Sequence, residues 1–72
     1  MSIGSNVQRF PDFTLYNHGS IFLLYPHTEL ARNWIAGHIS EDAYLFGNAV
    51  VIEHRFIADI VKGIQMDGLE VR

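Results

Sequence analysis

The sequence predicts an α+β fold, a single small domain in which two helices cover a three- to four-stranded sheet. Two short apolar runs have the length of strands, and two longer stretches repeat apolar residues at helical spacing. Turns that contain glycine or proline separate these segments. The predicted order is β-β-α-β-α, and a final short strand over Leu69–Val71 is left open.

The first two strands form a predicted β-hairpin. Phe13 to Tyr16 alternates in the manner of a half-buried strand, and Asn17-His18-Gly19-Ser20 contains residues that tolerate the positive φ of a tight reversal. The run Ile21 to Tyr25 is apolar throughout, which is typical of a strand that is covered on both faces. We therefore expect this second strand to lie in the centre of the sheet.

The first helix is predicted to begin at Glu29. Pro26 ends the strand because it cannot donate to a ladder, Thr28 is a good N-cap, and Glu29 favours the positive end of a helix dipole. The apolar side of this helix is formed by residues at three- and four-residue steps, namely Leu30, Ala31, Trp34, Ile35 and Ile39.

The second half of the chain contains a further strand and a further helix. Ala43 to Phe46 is compatible with a short strand or with a loop, and both alternatives stay open. Ala49 to Ile52 is a second apolar, mostly β-branched run and is predicted to be an interior strand beside the first. The second helix extends from about His54 to Met66, ends before Gly68, and has an apolar stripe made of Phe56, Ile57, Ile60, Val61 and Ile64.

Length and composition favour a compact domain that associates with other proteins. We expect residues 1–11 to form a flexible leader and residues 12–72 to form the domain. A chain of 72 residues buries only roughly 60% of its unfolded surface, and five phenylalanines, three tyrosines and one tryptophan exceed what so small a core hides. Gly63 inside the second helix further suggests the close approach of another backbone, so a homodimer is a live alternative.

Charge and residue usage disfavour several classes of function. A net charge of −3 and five scattered basic residues argue against nucleic-acid binding, and the longest apolar run is too short to cross a membrane. With no cysteine and no export signal, the expected location is cytoplasmic. The histidines do not have zinc-site spacing, and no nucleophile motif or phosphate loop is present, so we expect no enzymatic activity, no metal and no cofactor.

Aromatic residues beside turns are the best candidates for partner contacts. Tyr16, Tyr44 and Phe46 lie at such positions, where an exposed ring can anchor a protein interface. The acidic pair Glu41 and Asp42 precedes two of them and completes the predicted partner-binding set. The alternative is that Tyr44-Leu45-Phe46 caps one end of the core.

A second candidate site depends on the direction of the strands. If Ile21–Tyr25 and Ala49–Ile52 are parallel, the segments that follow them emerge at one edge of the sheet. His27, Thr28, His54 and Arg55 would then surround two helix N-termini, an arrangement that favours an anion. The alternative is that Thr28 and its neighbours are ordinary residues of helix starts.

Several motifs resemble those of a known group. They are Asn17-His18-Gly19-Ser20-Ile21, Leu24-x-Pro26-x-Thr28, Ala31-x-x-Trp34, Phe46-Gly47-Asn48-Ala49-Val50-Val51-Ile52-Glu53-His54-Arg55-Phe56-Ile57 and Asp67-Gly68-Leu69. Together they resemble a widespread group of short uncharacterised proteins of bacterial phages, plasmids and other mobile elements. The resemblance implies an accessory factor that binds a host protein, as anti-CRISPR and other counter-defence proteins do. It transfers no catalytic residue.

The first hypothesis for function is therefore a non-enzymatic module that binds a host protein and modulates or inhibits it. One alternative is a small dimeric regulator associated with nucleic acid, in which symmetry brings Arg32, Arg55 and Lys62 onto one face. The other is a module that binds an anion or a small ligand at the edge near His27 and His54.

Overall fold

The computed structural model describes residues 11–72, so residues 1–10 of the predicted leader lie outside the described part. Two helices cover one four-stranded sheet, as predicted for an α+β domain. The strands lie in the order β1-β2-β4-β3 and all neighbours are antiparallel. The elements are β1 (Phe13–His18), β2 (Ile21–Pro26), α1 (Glu29–His38), β3 (Leu45–Phe46), β4 (Ala49–Glu53) and α2 (His54–Met66).

The hairpin of β1 and β2 forms as predicted, and β2 lies in the centre of the sheet. Gly19 adopts a φ of 79° in the turn, a conformation that costs glycine little. The amide of Gly19 also donates to the side-chain oxygen of Asn17. The turn residues thus set the register in which Leu15 faces Leu24.

The core lies between the two helices and one face of the sheet. Alternation along the strands directs one set of side chains toward the helices. Phe13 meets the ring of Trp34 edge to face, with ring centroids 6.2 Å apart. The buried members of this core are Phe13, Leu24, Ala31, Trp34, Val50, Ile52 and Ile64.

Helix α1 begins at Glu29, as predicted. The Thr28 side chain accepts a hydrogen bond from the amide of Ala31 at 3.0 Å, which satisfies one of the free amides of the first turn. The prediction that Leu30 belongs to the buried stripe was wrong, because this side chain is 66% exposed. Ala31 and Trp34 face the sheet, and Leu30 is turned about 100° away from Ala31 around the helix axis.

Helix α2 ends before Gly68, where φ is 86° and the Leu69 amide donates back to the carbonyl of Ile64. Ile64 on its predicted stripe is fully buried. Phe56 belongs to the same predicted stripe, and the expectation that the stripe buries it was wrong, since this residue is 47% exposed. Phe56 lies in the first turn of α2, lines a cleft beside β4, and has the Arg55 guanidinium 4.8 Å from its ring centroid.

Two alternatives left open by the sequence are decided by backbone pairing. Leu45 and Phe46 form a short strand that pairs with Val50 and Ala49 across a turn at Gly47. At the other edge, Val71 forms a parallel bridge with Phe13. The C-terminal segment therefore adds one more contact to β1 without forming a full strand.

The close approach at Gly63 is intramolecular. A Cβ atom at this position would lie 3.3 Å from Cζ2 of Trp34. The expectation of another backbone against Gly63 was therefore wrong, because a side chain of the same chain occupies the space. Trp34 is fixed there by a 2.7 Å hydrogen bond from Nε1 to Asp67 and by stacking on His38.

Candidate functional site

The face of the sheet that points away from the helices is largely apolar. In antiparallel pairs Tyr16 lies opposite Leu23, and Leu23 lies opposite Val51. Phe46 lies opposite Ala49 on the same face. We call this surface the open face; its members from the four strands are Thr14, Tyr16, His18, Ile21, Leu23, Tyr25, Phe46, Ala49, Val51 and Glu53.

No helix among residues 11–72 covers the open face, although its centre is buried. Leu23 is 5% exposed and Ala49 is fully buried, and neither belongs to the core beneath the helices. Tyr16 and Tyr25 meet edge to face above this centre, with ring centroids 5.6 Å apart. We expected both faces of β2 to be covered. Within residues 11–72 the helices cover only one of them.

A hollow of about 420 Å³ lies on the open face. Tyr16, Tyr25 and Phe46 contribute aromatic walls, and Leu23 contributes to the floor. A hydrogen bond of 2.7 Å between Thr14 Oγ1 and His27 Nε2 provides polar groups at one end. The combination of an apolar floor, aromatic walls and a few polar groups is typical of surfaces that accept a partner side chain.

The end of the sheet at β3 exposes three consecutive large side chains. Tyr44 is 80% exposed, Leu45 68% and Phe46 62%. These values do not fit the alternative in which the segment caps the core. In this segment it is Ala43 that packs against the core. Phe46 faces the hollow, whereas Tyr44 lines the cleft on the other side of β3.

The structure brings only some of the predicted partner-binding residues together. Tyr16 and Phe46 line the same hollow. Glu41 and Asp42 are exposed in the turn after α1, where the Asp42 amide donates to Ser40 Oγ, and Ser40 lines the cleft with Tyr44. The predicted set therefore spans two neighbouring surfaces.

The predicted anion edge does not form. Strand β4 is antiparallel to β2, with Ile21 opposite Glu53 and Leu24 opposite Val50. His27 and Thr28 consequently lie at the end of the sheet opposite to His54 and Arg55. The physical reason is the short strand β3, which reverses the chain after α1 so that β4 enters from the other direction.

Each residue of the predicted anion edge has a structural partner. His27 is hydrogen-bonded to Thr14, Thr28 caps α1, and Arg55 pairs with Glu53 at 2.9 Å. His54 Nε2 lies 2.7 Å from the carbonyl oxygen of Gly19, which connects α2 to the β1–β2 turn. Within residues 11–72 no group of three or more histidine or acidic side chains is arranged to hold a metal ion.

The basic residues of the nucleic-acid alternative are exposed on the two helices. Arg32 lies on α1, and Arg55 and Lys62 lie on α2. Glu53 neutralises Arg55, and Glu70 pairs with Arg72 in the C-terminal segment. Among the three residues of this alternative, Glu53 thus offsets the charge of Arg55, which reduces the positive potential available for phosphate binding.

Sequence reasoning missed Leu23 and Tyr25 as parts of a surface. Because β2 is apolar at every position, its pattern predicts cover on both faces and contains no sign of an uncovered one. Alternation places Ile21, Leu23 and Tyr25 on one face and Phe22 and Leu24 on the other, but both sets are apolar, so it does not indicate which face the helices cover.

Comparison with protein-family models, with curated proteins and with solved structures gave no match to this chain. In the described part of the chain, neither helix has the length and hydropathy needed to cross a membrane.

Proposed function

We propose that this protein is a non-enzymatic protein-binding module that contacts its partner through the open face of the sheet. The observation that carries this proposal is that the sequence of β2 and the cover of β2 disagree. Its sequence is that of a strand buried on both sides, yet among residues 11–72 helices cover only one side. A partner protein on the open face would supply the missing cover.

The residues at the rim of the hollow have the chemistry of interface anchors. Tyrosine and phenylalanine bury a large area at a low cost in side-chain entropy, and tyrosine also offers a hydroxyl group for hydrogen bonding. Tyr16 and Phe46 are 56% and 62% exposed, so both retain most of their surface for a partner. A hollow of about 420 Å³ has room for an inserted apolar side chain.

The resemblance to proteins of mobile elements supports a host protein as the partner. A domain of 72 residues acts most simply by occupying a surface of its target. We therefore propose that binding modulates or inhibits the host protein, in the manner of an anti-CRISPR or another counter-defence factor. On this proposal the effect requires stoichiometric binding and no turnover.

The proposal is tested by affinity capture from a host lysate with matched variants. Tyr16→Lys and Phe46→Lys place charges in the hollow, and Leu30→Lys places the same charge at an exposed apolar position on α1. We expect wild type and Leu30→Lys to retain one stoichiometric protein, and both hollow variants to lose it. The complex is quantified by reconstitution with the purified partner.

Two results would contradict the proposal. One is the absence of any stoichiometric protein in the wild-type capture. The other is a partner that both hollow variants retain with unchanged affinity, provided that thermal unfolding shows the variants to be folded.

A further inference from the structure

Strand β4 has an outer edge that β3 covers only in part. Strand β3 pairs with Ala49 and Val50, and the Val51 amide donates to the carbonyl of Tyr44 at 2.9 Å. Beyond this bond the chain at Tyr44 leaves the sheet, while β4 continues to Glu53. An edge of this kind presents backbone groups to a further strand.

The geometry of the ladder identifies the exposed backbone groups. In an antiparallel sheet each residue directs its amide and carbonyl to the same side, and successive residues alternate. The Val51 amide donates toward β3, so the amide of Glu53, two residues further along, also points away from β2. Within residues 11–72, no turn, loop or cap hydrogen bond uses the Glu53 amide or the Val51 carbonyl. One donor and one acceptor therefore face outward at strand spacing.

An apolar cleft of about 500 Å³ lies directly beside this edge. Its lining includes Ile52 of β4, Phe56 and Ile60 of α2, and Ile39 just after α1. Side chains of an added strand would alternate between this cleft and the open face. The cleft lies on the helix side of the sheet, so it is separate from the hollow between Tyr16 and Phe46.

The rim of the cleft is acidic. The Glu53 side chain is 60% exposed, and Glu41 and Asp42 are exposed in the turn next to Ser40, which lines the cleft. Arg55 pairs with Glu53 and offsets one of these charges. The remaining negative charge favours lysine or arginine at the ends of a bound segment.

We propose that the outer edge of β4 binds an extended segment of a partner protein by strand addition. The segment has an apolar side chain that enters the cleft and basic residues that face its acidic rim. In strand addition, main-chain hydrogen bonds supply affinity and pockets for alternate side chains supply specificity. Complementary charge adds specificity and speeds association. This site does not depend on the partner of the open face.

The test uses the synthetic peptide Lys-Val-Ile-Val-Thr-Lys as a probe and the whole 72-residue chain. We expect saturable binding, followed by amide chemical shifts in ¹⁵N-labelled protein, with the largest changes at Val51 to Glu53. Two further peptides are N-methylated at alternate amides, one at the odd and one at the even positions. Only one should lose binding, because one edge of the added strand bonds to β4.

A matched pair of protein variants separates backbone bonding from charge. Glu53 has a φ of −71°, which proline adopts without strain, so Glu53→Pro removes the outward amide at little conformational cost. Glu53→Ala keeps that amide and removes only the carboxylate, which makes no cap hydrogen bond. We expect Glu53→Pro to bind about tenfold more weakly than Glu53→Ala.

The contrary outcomes are distinct from those of the proposed function. Equal affinity of Glu53→Pro and Glu53→Ala would overturn strand addition, as would equal binding of the two N-methylated peptides to wild type. Shift changes confined to the open face would assign the peptide to the hollow and overturn the edge site. A wild-type dimer by light scattering that Glu53→Pro dissociates would make a second copy the occupant.

Discussion

Asp12 connects three parts of the chain that are distant in sequence. Its Oδ1 atom accepts a hydrogen bond from the Thr28 hydroxyl at 2.8 Å, and its Oδ2 atom accepts one from the Glu70 amide at 2.9 Å. The Asp12 carbonyl accepts from the His27 amide. One half-buried carboxylate thus holds the start of β1, the cap of α1 and the C-terminal segment together.

Removal of this carboxylate should destabilise the fold. We expect Asp12→Ala to lower the free energy of unfolding by about 3 kcal/mol, because two hydrogen bonds to a charged acceptor are lost. The exposed Asp42 makes no side-chain hydrogen bond within residues 11–72, so Asp42→Ala is the matched control and should cost little. Urea unfolding measures both; equal costs would contradict the role of Asp12.

Two glycines in helices should respond with opposite sign to the same substitution. Gly63→Ala places a Cβ atom 3.3 Å from Trp34, whose ring is held by Asp67 and His38 and has little freedom to move. Overpacking of about 2 kcal/mol then exceeds the gain of about 1 kcal/mol in helix propensity. Gly37→Ala meets open space and should stabilise by up to about 1 kcal/mol.

Thermal and urea unfolding of the two variants measure this difference. A stabilised Gly63→Ala would show that the Trp34 ring shifts easily, and the proposed constraint by Asp67 and His38 would be wrong.

At the scale of elements, the sheet is completed by pieces too short to be recognised as strands. Strand β3 has two residues, and the C-terminal segment contributes one bridge. The segment nevertheless makes three backbone hydrogen bonds with β1, which join Phe13 to Glu70, Leu15 to Arg72 and Arg72 to Phe13. Leu69 and Val71 also pack against the core.

Deletion of residues 69–72 should therefore lower the free energy of unfolding by more than is expected for the loss of four terminal residues. Loss of the bonds to β1 and of two half-buried apolar side chains predicts a decrease of about 3 kcal/mol or more in the free energy of unfolding. Arg72→Ala, which keeps the backbone bonds, should cost less than about 1 kcal/mol. A deletion variant as stable as Arg72→Ala in urea would show that the segment contributes little.

At the scale of the whole molecule, residues 11–72 cover the two faces of the sheet differently, because the helices lie on one face only. Leu23 and Leu24 are adjacent and both buried, but Leu24 packs in the core while Leu23 lies on the open face. A cavity under the helices is closed, whereas a cavity on the open face is accessible to water or to neighbouring rings. The same substitution should therefore have different costs at these two positions.

We expect Leu24→Ala to cost about 3–4 kcal/mol and Leu23→Ala about 1–2 kcal/mol in the free energy of unfolding. Urea unfolding at several protein concentrations measures both. Equal costs at every concentration would show that the open face is packed as tightly as the core. The surface of the proposed function would then be occupied within the chain itself.

Local patterns were sufficient for much of the fold. The β1–β2 turn, the N-cap at Thr28, the end of α2 at Gly68 and the central position of β2 follow from residue types and spacing, because turns, caps and apolar runs act over a few residues. The exposure of Tyr16 and Phe46 was also predictable from local sequence, because both lie beside turns. The exposure of Leu30 and Phe56 could not be predicted from local patterns. The first turn of each helix contains more than one apolar residue, and tertiary packing decides which of them is buried.

Three features were decided only by tertiary structure. The direction of β4 depends on the two-residue strand β3. This direction in turn places His27 and His54 at opposite ends of the sheet. The neighbour of Gly63 is a ring from the other helix, which no local pattern specifies. Finally, alternation in a uniformly apolar strand such as β2 is symmetrical, so the sequence by itself determined that both faces are apolar. Only the placement of the two helices decided which face they leave uncovered within residues 11–72.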